Sequence, residues 1–521
     1  MTESEPSPDE EAAQHQQKED DVPQLQSVGP IEVPLTPDKE HASSMQPAQT
    51  QENVSAFKKS IKILIVVMAS TTSFASPLSI NIYMPAVPDI SKDLDISSGQ
   101  TLLSVTTYLI FQGLSPSFWA PLSDTYGRRP ILIAAFVVFL GANLGLAFTN
   151  KFWLLLVLRM VQASGVSSAV SIGAGCISDV SNRKERGRYM GFYQLGTLLG
   201  PAVGPVLGGI FSQSFDWHAI FYFLSALSAV YLLVMVIVLP ESLRKLVGDG
   251  SLKARGIWRT LLPLRLTVPD QLNSDKSMHS PPKVSIHSMG FGMPWRMFSS
   301  LDLALMIYAF SIPFGVYSMV TSSLSTLLKS AYGYNAIETG LCFIPIGVAS
   351  AIGSVVAGKT IDYEYAKAFR KHGHNLNLYD TRLKYALVIN LLYTACVIAN
   401  GWCCDSKTLS KPTSIAAPLV FQFFLAFFGV VHFNSIQTIL VDLRPNRAAS
   451  VTAAVNIGRC LVSAAFVAAV DYVIDDIGTG WTFTVFGLAS LILTAPAIEL
   501  VKHRGPEWNA RREERAKYTT A

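Results

Sequence analysis

Charge is scarce in this chain. Only 15% of its 521 residues are Asp, Glu, Lys or Arg and half are hydrophobic, with a mean hydropathy of +0.34, a balance that excludes a soluble protein of this length. Cysteine is sparse as well. Cys176, Cys342, Cys396, Cys403, Cys404 and Cys460 lie mostly inside apolar runs, with no C-x-x-C pair and no His at ligand spacing, so they read as core thiols and not as a metal site or disulfide frame. No nucleophile with its base, phosphate loop or metal spacing appears, which argues against an enzyme and against any cofactor. A net charge of +4 gives no reason to expect a nucleic-acid partner. The basic start and short apolar core of a secretory signal are also missing.

What the chain does have is apolar runs of bilayer-crossing length. The pattern predicts an all-α membrane protein with about twelve spans, roughly at 61–85, 100–120, 130–149, 152–178, 188–212, 217–239, 301–328, 337–358, 384–403, 415–440, 449–473 and 480–501. Residues 1–57 form an acidic, Gln/Ser/Pro-rich tail expected to be disordered. Spans fill 58–239 and 301–501 six and six, separated by a Pro-, Gly- and Lys/Arg-bearing linker at 240–300, and a basic tail occupies 502–521. Basic residues gather in alternate loops, among them Arg128, Arg129, Arg183, Lys184, Lys367, Arg370, Arg444 and Arg447. The opposite loops carry Asp89, Asp93, Asp95, Asp216, Asp405, Asp475 and Asp476. By the positive-inside tendency every loop agrees on one orientation, with both termini in the cytoplasm.

Between the second and third spans lies W-A-P-L-S-D-T-Y-G-R-R-P, Trp119 to Pro130, a polar hairpin tip holding Asp124, Gly127, Arg128 and Arg129. Its plain reading is a solvated turn with basic anchors. After span 8 the chain reads Gly358-Lys359-Thr360-Ile361-Asp362, a worn copy of this turn at the matching place in the second half, as expected of two six-helix pseudo-repeats. In span 4, Arg159-x-x-Gln162-x-x-Gly165 sets a guanidinium and an amide on one helical face. A charge at that depth costs about 2.5 to 3.5 kcal/mol and should face a cavity or a partner; the alternative is an arginine snorkelling outward. Span 5 is lined by Gly191, Gly196, Gly200, Gly204-Pro205 and Gly208-Gly209, a pattern of close helix packing.

Together these three stretches resemble the twelve-span drug:proton antiporter branch of the major facilitator superfamily, and N-I-Y-M-P-A-V-P (Asn81 to Pro88) is similar to its fungal members. Leu122 to Arg129 resembles its loop between helices 2 and 3, Arg159 to Ser168 its proton-linked motif, and Gly191 to Gly209 its antiporter motif. Ala120 and Ala163 stand where the family has Gly, and Asn81 where bacterial relatives often carry an acid. The resemblance covers about residues 60 to 505. It implies alternating access between two rocking halves, with Asp124 near the start of helix 11 at Ala448 and Ala449 and Arg128 paired with Asp179. For proton coupling the titratable candidates are His432 and Asp471, and Arg459 is expected to line or brace the cavity. For each there is a bland alternative: a hydrogen-bonded packing His432, or an Asp471 that sits in an interface beside Asp475.

The expected partners are the bilayer, protons and a small molecule, handled by a monomer in the plasma membrane, with a vacuolar membrane less favoured. Arg159, Arg459 and His432 bias the interior positive, so the reading leans towards export of a carboxylic acid of the citrate or itaconate kind. The rival is a multidrug pump walled by Tyr308, Phe314, Tyr317 and Met319; a non-transporting sensor on the same scaffold is a third reading.

Overall fold

In lipid, a chain can satisfy its own backbone hydrogen bonds only as helices or a closed barrel, and runs this long without alternation fold as helices. The computed structural model describes residues 57–181, 183–252, 254–262, 291–372, 377–405, 415–444 and 448–520, and no strand occurs among them. The first six long helices are α1 (Lys59–Asn81), α2 (Ser98–Tyr126), α3 (Arg128–Ala147), α4 (Phe152–Val166, continued by Ser168–Val180), α5 (Arg183–Ser214) and α6 (His218–Val238). The second six are α7 (Leu301–Tyr332), α8 (Ile344–His372), α9 (Ala386–Cys403), α10 (Ala416–Asp442), α11 (Ala448–Ile477) and α12 (Thr479–Thr520). Residues 1–56, expected to be a tail, lie outside the described residues, as do 263–290 of the linker.

Eleven helical segments among the described residues are both long and apolar enough to cross a membrane. The twelfth long helix, α2, has the length, 29 residues, but its Ser, Thr and Gln content lowers its hydropathy. Those polar groups are turned on protein: Ser115 Oγ donates to the Ser164 carbonyl at 2.6 Å and Thr106 Oγ1 reaches the Ala464 carbonyl at 3.5 Å. A helix sheltered by neighbours need not be apolar all round.

Three helices overrun their expected ends. α2 continues to Tyr126, α8 to His372 and α12 to Thr520, so Gly358 to Asp362 lie inside a helix and not in a turn. The last extension is anchored. Arg512 Nη1 forks onto both carboxylate oxygens of Asp302 at 2.6 and 2.5 Å, Trp508 joins the buried cluster around Leu303, Ile307 and Tyr379, and a Cβ at Gly505 would lie 2.5 Å from the Tyr379 ring.

Helix α5 shows what its glycines do. A Cβ at Gly196, Gly200 or Gly204 would come within 3 Å of Ser70, Pro77 or Asn81, and one at Gly208 would strike the Ile82 carbonyl, so one face of α5 lies directly on α1. Another face crosses to the second half, where a Cβ at Gly209 would meet the Ala336 carbonyl; the Pro205 carbonyl in turn blocks one at Gly340. Gly191 faces open space.

The end of the bundle where α1 begins and α12 ends is termed proximal, the other distal. Distally the halves share one buried core that mixes Ile82, Leu102 and Val105 with Val316, Val320 and Val467. Proximally each half keeps its own, around Leu132, Phe136 and Leu246 in one and Met306, Ile439 and Val455 in the other. Polar bonds add to the distal closure. Asp89 accepts from Lys329 Nζ across the halves at 2.9 Å and from Ser212 Oγ at 2.8 Å, and the Ile337 amide donates to Gln213 Oε1 at 3.0 Å. An exposed ion pair of this kind is worth about 0.2 to 1 kcal/mol. Asp89→Lys should therefore raise the distally open population by about 1.5- to 5-fold, and the swapped pair Asp89→Lys with Lys329→Asp should restore it, as read from distances between labels on the two halves.

Candidate functional site

The hairpin tip after α2 is built around a glycine. Gly127 has φ +111°, and a Cβ there would lie 2.6 Å from Glu241 Oε2 and 2.8 Å from Trp258 Nε1, so both backbone and space demand glycine. Beyond it α3 begins with free N–H groups. Glu241 fills that need: its carboxylate accepts from the amides of Arg128 at 2.9 Å and Arg129 at 3.2 Å, and from those of Ser242 and Leu243 at 3.0 and 2.9 Å. An anion at a helix N-terminus is favoured by the orphan donors and the dipole. Burial pushes this carboxyl up from its ordinary range, while the four amide bonds pull the other way.

Arg129 performs the reverse service. Its side chain, nearly wholly buried, donates to the carbonyls of Val236 at 2.7 Å and Leu239 at 2.8 Å at the C-terminus of α6, and to that of Ile257 in the linker. Trp258 Nε1 donates to the Tyr126 carbonyl at the end of α2, 2.7 Å away. Residues 239–252 and 254–262 are thus packed onto the first half, and Arg129 holds helix and linker ends within that half.

Arg128 is the ion-pairing member. Its Nε donates to Asp179 Oδ2 at 3.0 Å, Nη1 donates to Ser123 Oγ at 2.9 Å, and the guanidinium contacts the Asp124 carboxylate. The guanidinium lies against Gly175, where a Cβ would be 2.6 Å from Cζ. Asp124 also offers its backbone carbonyl to Lys245 Nζ at 3.4 Å. Its expected approach to the start of α11 falls on a stretch whose residues 445–447, and the side chains of Ala448 and Ala449, lie outside those described. The second half repeats the Arg128–Asp179 pair: Arg382 Nε donates to Asp442 Oδ2 at 2.9 Å, again joining the entry of the third helix of a half to the end of its fourth.

Arg159 in α4 is fully buried. Its Cζ lies 4.2 Å from the Tyr83 ring centroid and 4.4 Å from that of Tyr108, Nη1 donates to Gln162 Oε1 at 2.6 Å and reaches the Ser79 carbonyl at 3.4 Å, and Gln162 Nε2 continues to Asn143 Oδ1 at 2.7 Å. No carboxylate pairs with it among the described residues. The charge is held by ring quadrupoles, worth up to about 2 kcal/mol or more each when desolvated, and by an amide chain within the first half.

His432 in α10 is buried, with Nε2 3.3 Å from the Ala309 carbonyl of α7. Asp471 is nearly buried towards the distal end of α11. Arg459 differs from Arg159: it is only half-buried, it stands 4.9 Å over the Phe314 ring, and its Nε and Nη2 both donate to Asn456 Oδ1, at 3.0 and 2.6 Å. Asn456 in turn donates through Nδ2 to the Gln112 carbonyl of α2 at 3.0 Å and reaches that of Gly113 at 3.4 Å. Around Phe314 an aromatic group gathers Phe310, Tyr317 and Phe433 from α7 and α10. The structure therefore separates the residues read from sequence into a proximal cluster (Asp124, Gly127, Arg128, Arg129, Asp179), a sealed pair (Arg159, Gln162) and an inter-half position (Arg459). Sequence reading missed Glu241, Trp258 and Asn456; for Glu241 one signal existed, an isolated acid in P-E-S-L-R directly after span 6.

A model of the Major Facilitator Superfamily matches residues 69–467. The chain is 34% identical over 478 residues to citrate exporter 1 of Aspergillus niger, covering 88% of this chain and 89% of that protein. It is 31% identical over 475 residues to the MFS antiporter QDR2 of Candida albicans, covering 87% and 92%. Among solved structures it is similar to a bacterial homolog of the human lysosomal transporter Spinster in an inward-facing, unoccupied conformation, with a TM-score of 0.60, 13% identity, and 85% of this chain and 97% of that one covered.

Removing the Glu241 carboxylate strands four amides at once. Glu241→Ala should lower stability by about 3 kcal/mol, the scale of one or two hydrogen bonds to a charged acceptor, seen as a lower unfolding temperature in detergent. Asp124→Asn and Arg128→Ala should abolish transport at normal surface levels, and vesicle uptake together with surface labelling checks both.

Proposed function

This chain belongs to the major facilitator superfamily, and we propose that it exports a small organic-acid anion from the cytoplasm in exchange for protons, by alternating access of a site between its two halves. The observation that carries the choice of an anion is Arg459. This guanidinium lies within a membrane-spanning helix, half-buried, with an amide oxygen and an aromatic face beside it and no carboxylate paired with it among the described residues, and an un-neutralised cation inside a low-dielectric wall attracts anions. The likeness to a citrate exporter supports the same reading.

The separate proximal cores and shared distal core suit a state open to the cytoplasm, with both termini on that side of the plasma membrane and a single chain as the working unit. The Arg128–Asp124–Asp179 cluster then belongs to the gate that closes when the halves rock. Asp471 and His432 are the groups to carry the coupling proton; the gradient supplies about 2.3 kcal/mol per charge per 100 mV and about 1.4 per pH unit. A second reading, a multidrug pump, is favoured by the Phe310, Phe314, Tyr317 and Phe433 group and by the likeness to an antiporter named QDR2, since flexible apolar and aromatic walls accept varied ligands.

Inside-out vesicles with an acid lumen should accumulate labelled citrate or itaconate, and a protonophore should abolish the uptake. Failure to move either acid, with uptake of a lipophilic cation such as rhodamine 6G under the same gradient, would replace the first reading by the second.

A further inference from the structure

Asn456 faces two ways. Its Oδ1 receives both donors of the Nε/Nη2 edge of Arg459 within α11, and its Nδ2 donates to the Gln112 carbonyl, and at longer range to that of Gly113, across the boundary between the halves. The surroundings are close: a Cβ at Gly113 would lie 2.8 Å from the Cys460 Cβ, so α2 and α11 touch at this level. The Nε/Nη2 edge is the side of a guanidinium that fits a carboxylate in a two-bond fork. In this structure an amide oxygen takes that place, a weaker acceptor than an ionised carboxylate.

We infer that Asn456 is a positioning residue that links anion occupancy at Arg459 to the contact between the halves; this rests on the organic-anion reading above. With no anion bound, Arg459 fixes the Asn456 amide so that its other end clasps α2. An arriving carboxylate displaces Oδ1 from the fork. The amide then loses the bonds that orient it, and the clasp on the Gln112 carbonyl weakens. Anion binding and this inter-half contact compete for one side chain, so by linkage the anion favours the state in which the clasp is open.

The full-length protein in nanodiscs, labelled on the distal ends of the two halves, tests this directly. For wild type, citrate or itaconate should raise the distally open population. Asn456→Ala should show a population already raised by about two- to tenfold without anion, the scale of one lost hydrogen bond, and little further response to citrate, while Arg459 still binds citrate with an affinity within about threefold of wild type. Asn456→Ser keeps a short acceptor for Arg459 but loses the reach to α2; it should show the same anion-independent shift and provides the test if the alanine variant does not fold. A purely structural residue would lower binding and folding together without uncoupling the response. Variants whose distances and citrate response match wild type overturn the inference alone. A wild type that responds to rhodamine 6G but to neither acid overturns the anion reading, and the inference falls with it.

Discussion

Taking a guanidinium out of water costs several kcal/mol unless something replaces the lost solvent, and the way each arginine meets that cost organises this molecule. Arg129 is surrounded by carbonyls at the end of α6 and in the linker, Arg159 by two tyrosine rings and an amide chain, and Arg128 by two carboxylates. All three find their partners within the first half, although Arg159 Nε and Nη2 are buried with no hydrogen-bond partner among the described residues. The fourth, Arg459, leans on a residue that also holds the opposite half. The first three brace one bundle, and Arg459 sits where the two bundles meet.

Lipid tails are as apolar as leucine, so burial alone gives helices in a bilayer no reason to associate. Close backbone approach supplies the attraction instead. The glycines of α5 let it lie on α1 along one face and on the second half along another, so this one helix packs within its own bundle and also forms part of the boundary with the other.

Twelve long helices were legible in the sequence because long apolar runs between short polar turns leave few alternatives, whereas the packing of α1 on α5 and of α2 on α11 leaves no such trace. Their ends were less so. Hydropathy marks where a helix leaves lipid, not where it stops, and α12 runs on because Arg512 and Trp508 find partners on α7 and its neighbours. Arg128 and Asp179 are 51 positions apart, and their pairing was suggested by family likeness, not by spacing. Glu241 caps a helix more than a hundred residues earlier, a relation with no local trace, and Asn456 reads in sequence as one more small polar residue in a span. The worn repeat at Gly358 to Asp362 marked one side of the matching cluster: Arg382 donates to the Ile361 carbonyl and to Asp442, but this arginine lies well downstream, where the spacing of the first half gives no hint of it.

The fork of Arg512 onto Asp302 joins the last helix to the first of its half across a separation of 210 positions. Asp302, nearly buried, waits for its cation through the whole synthesis of α8 to α12. The second bundle therefore reaches its final form only after Arg512 has left the ribosome, and until then Asp302, in the first turn of α7, keeps its charge in water.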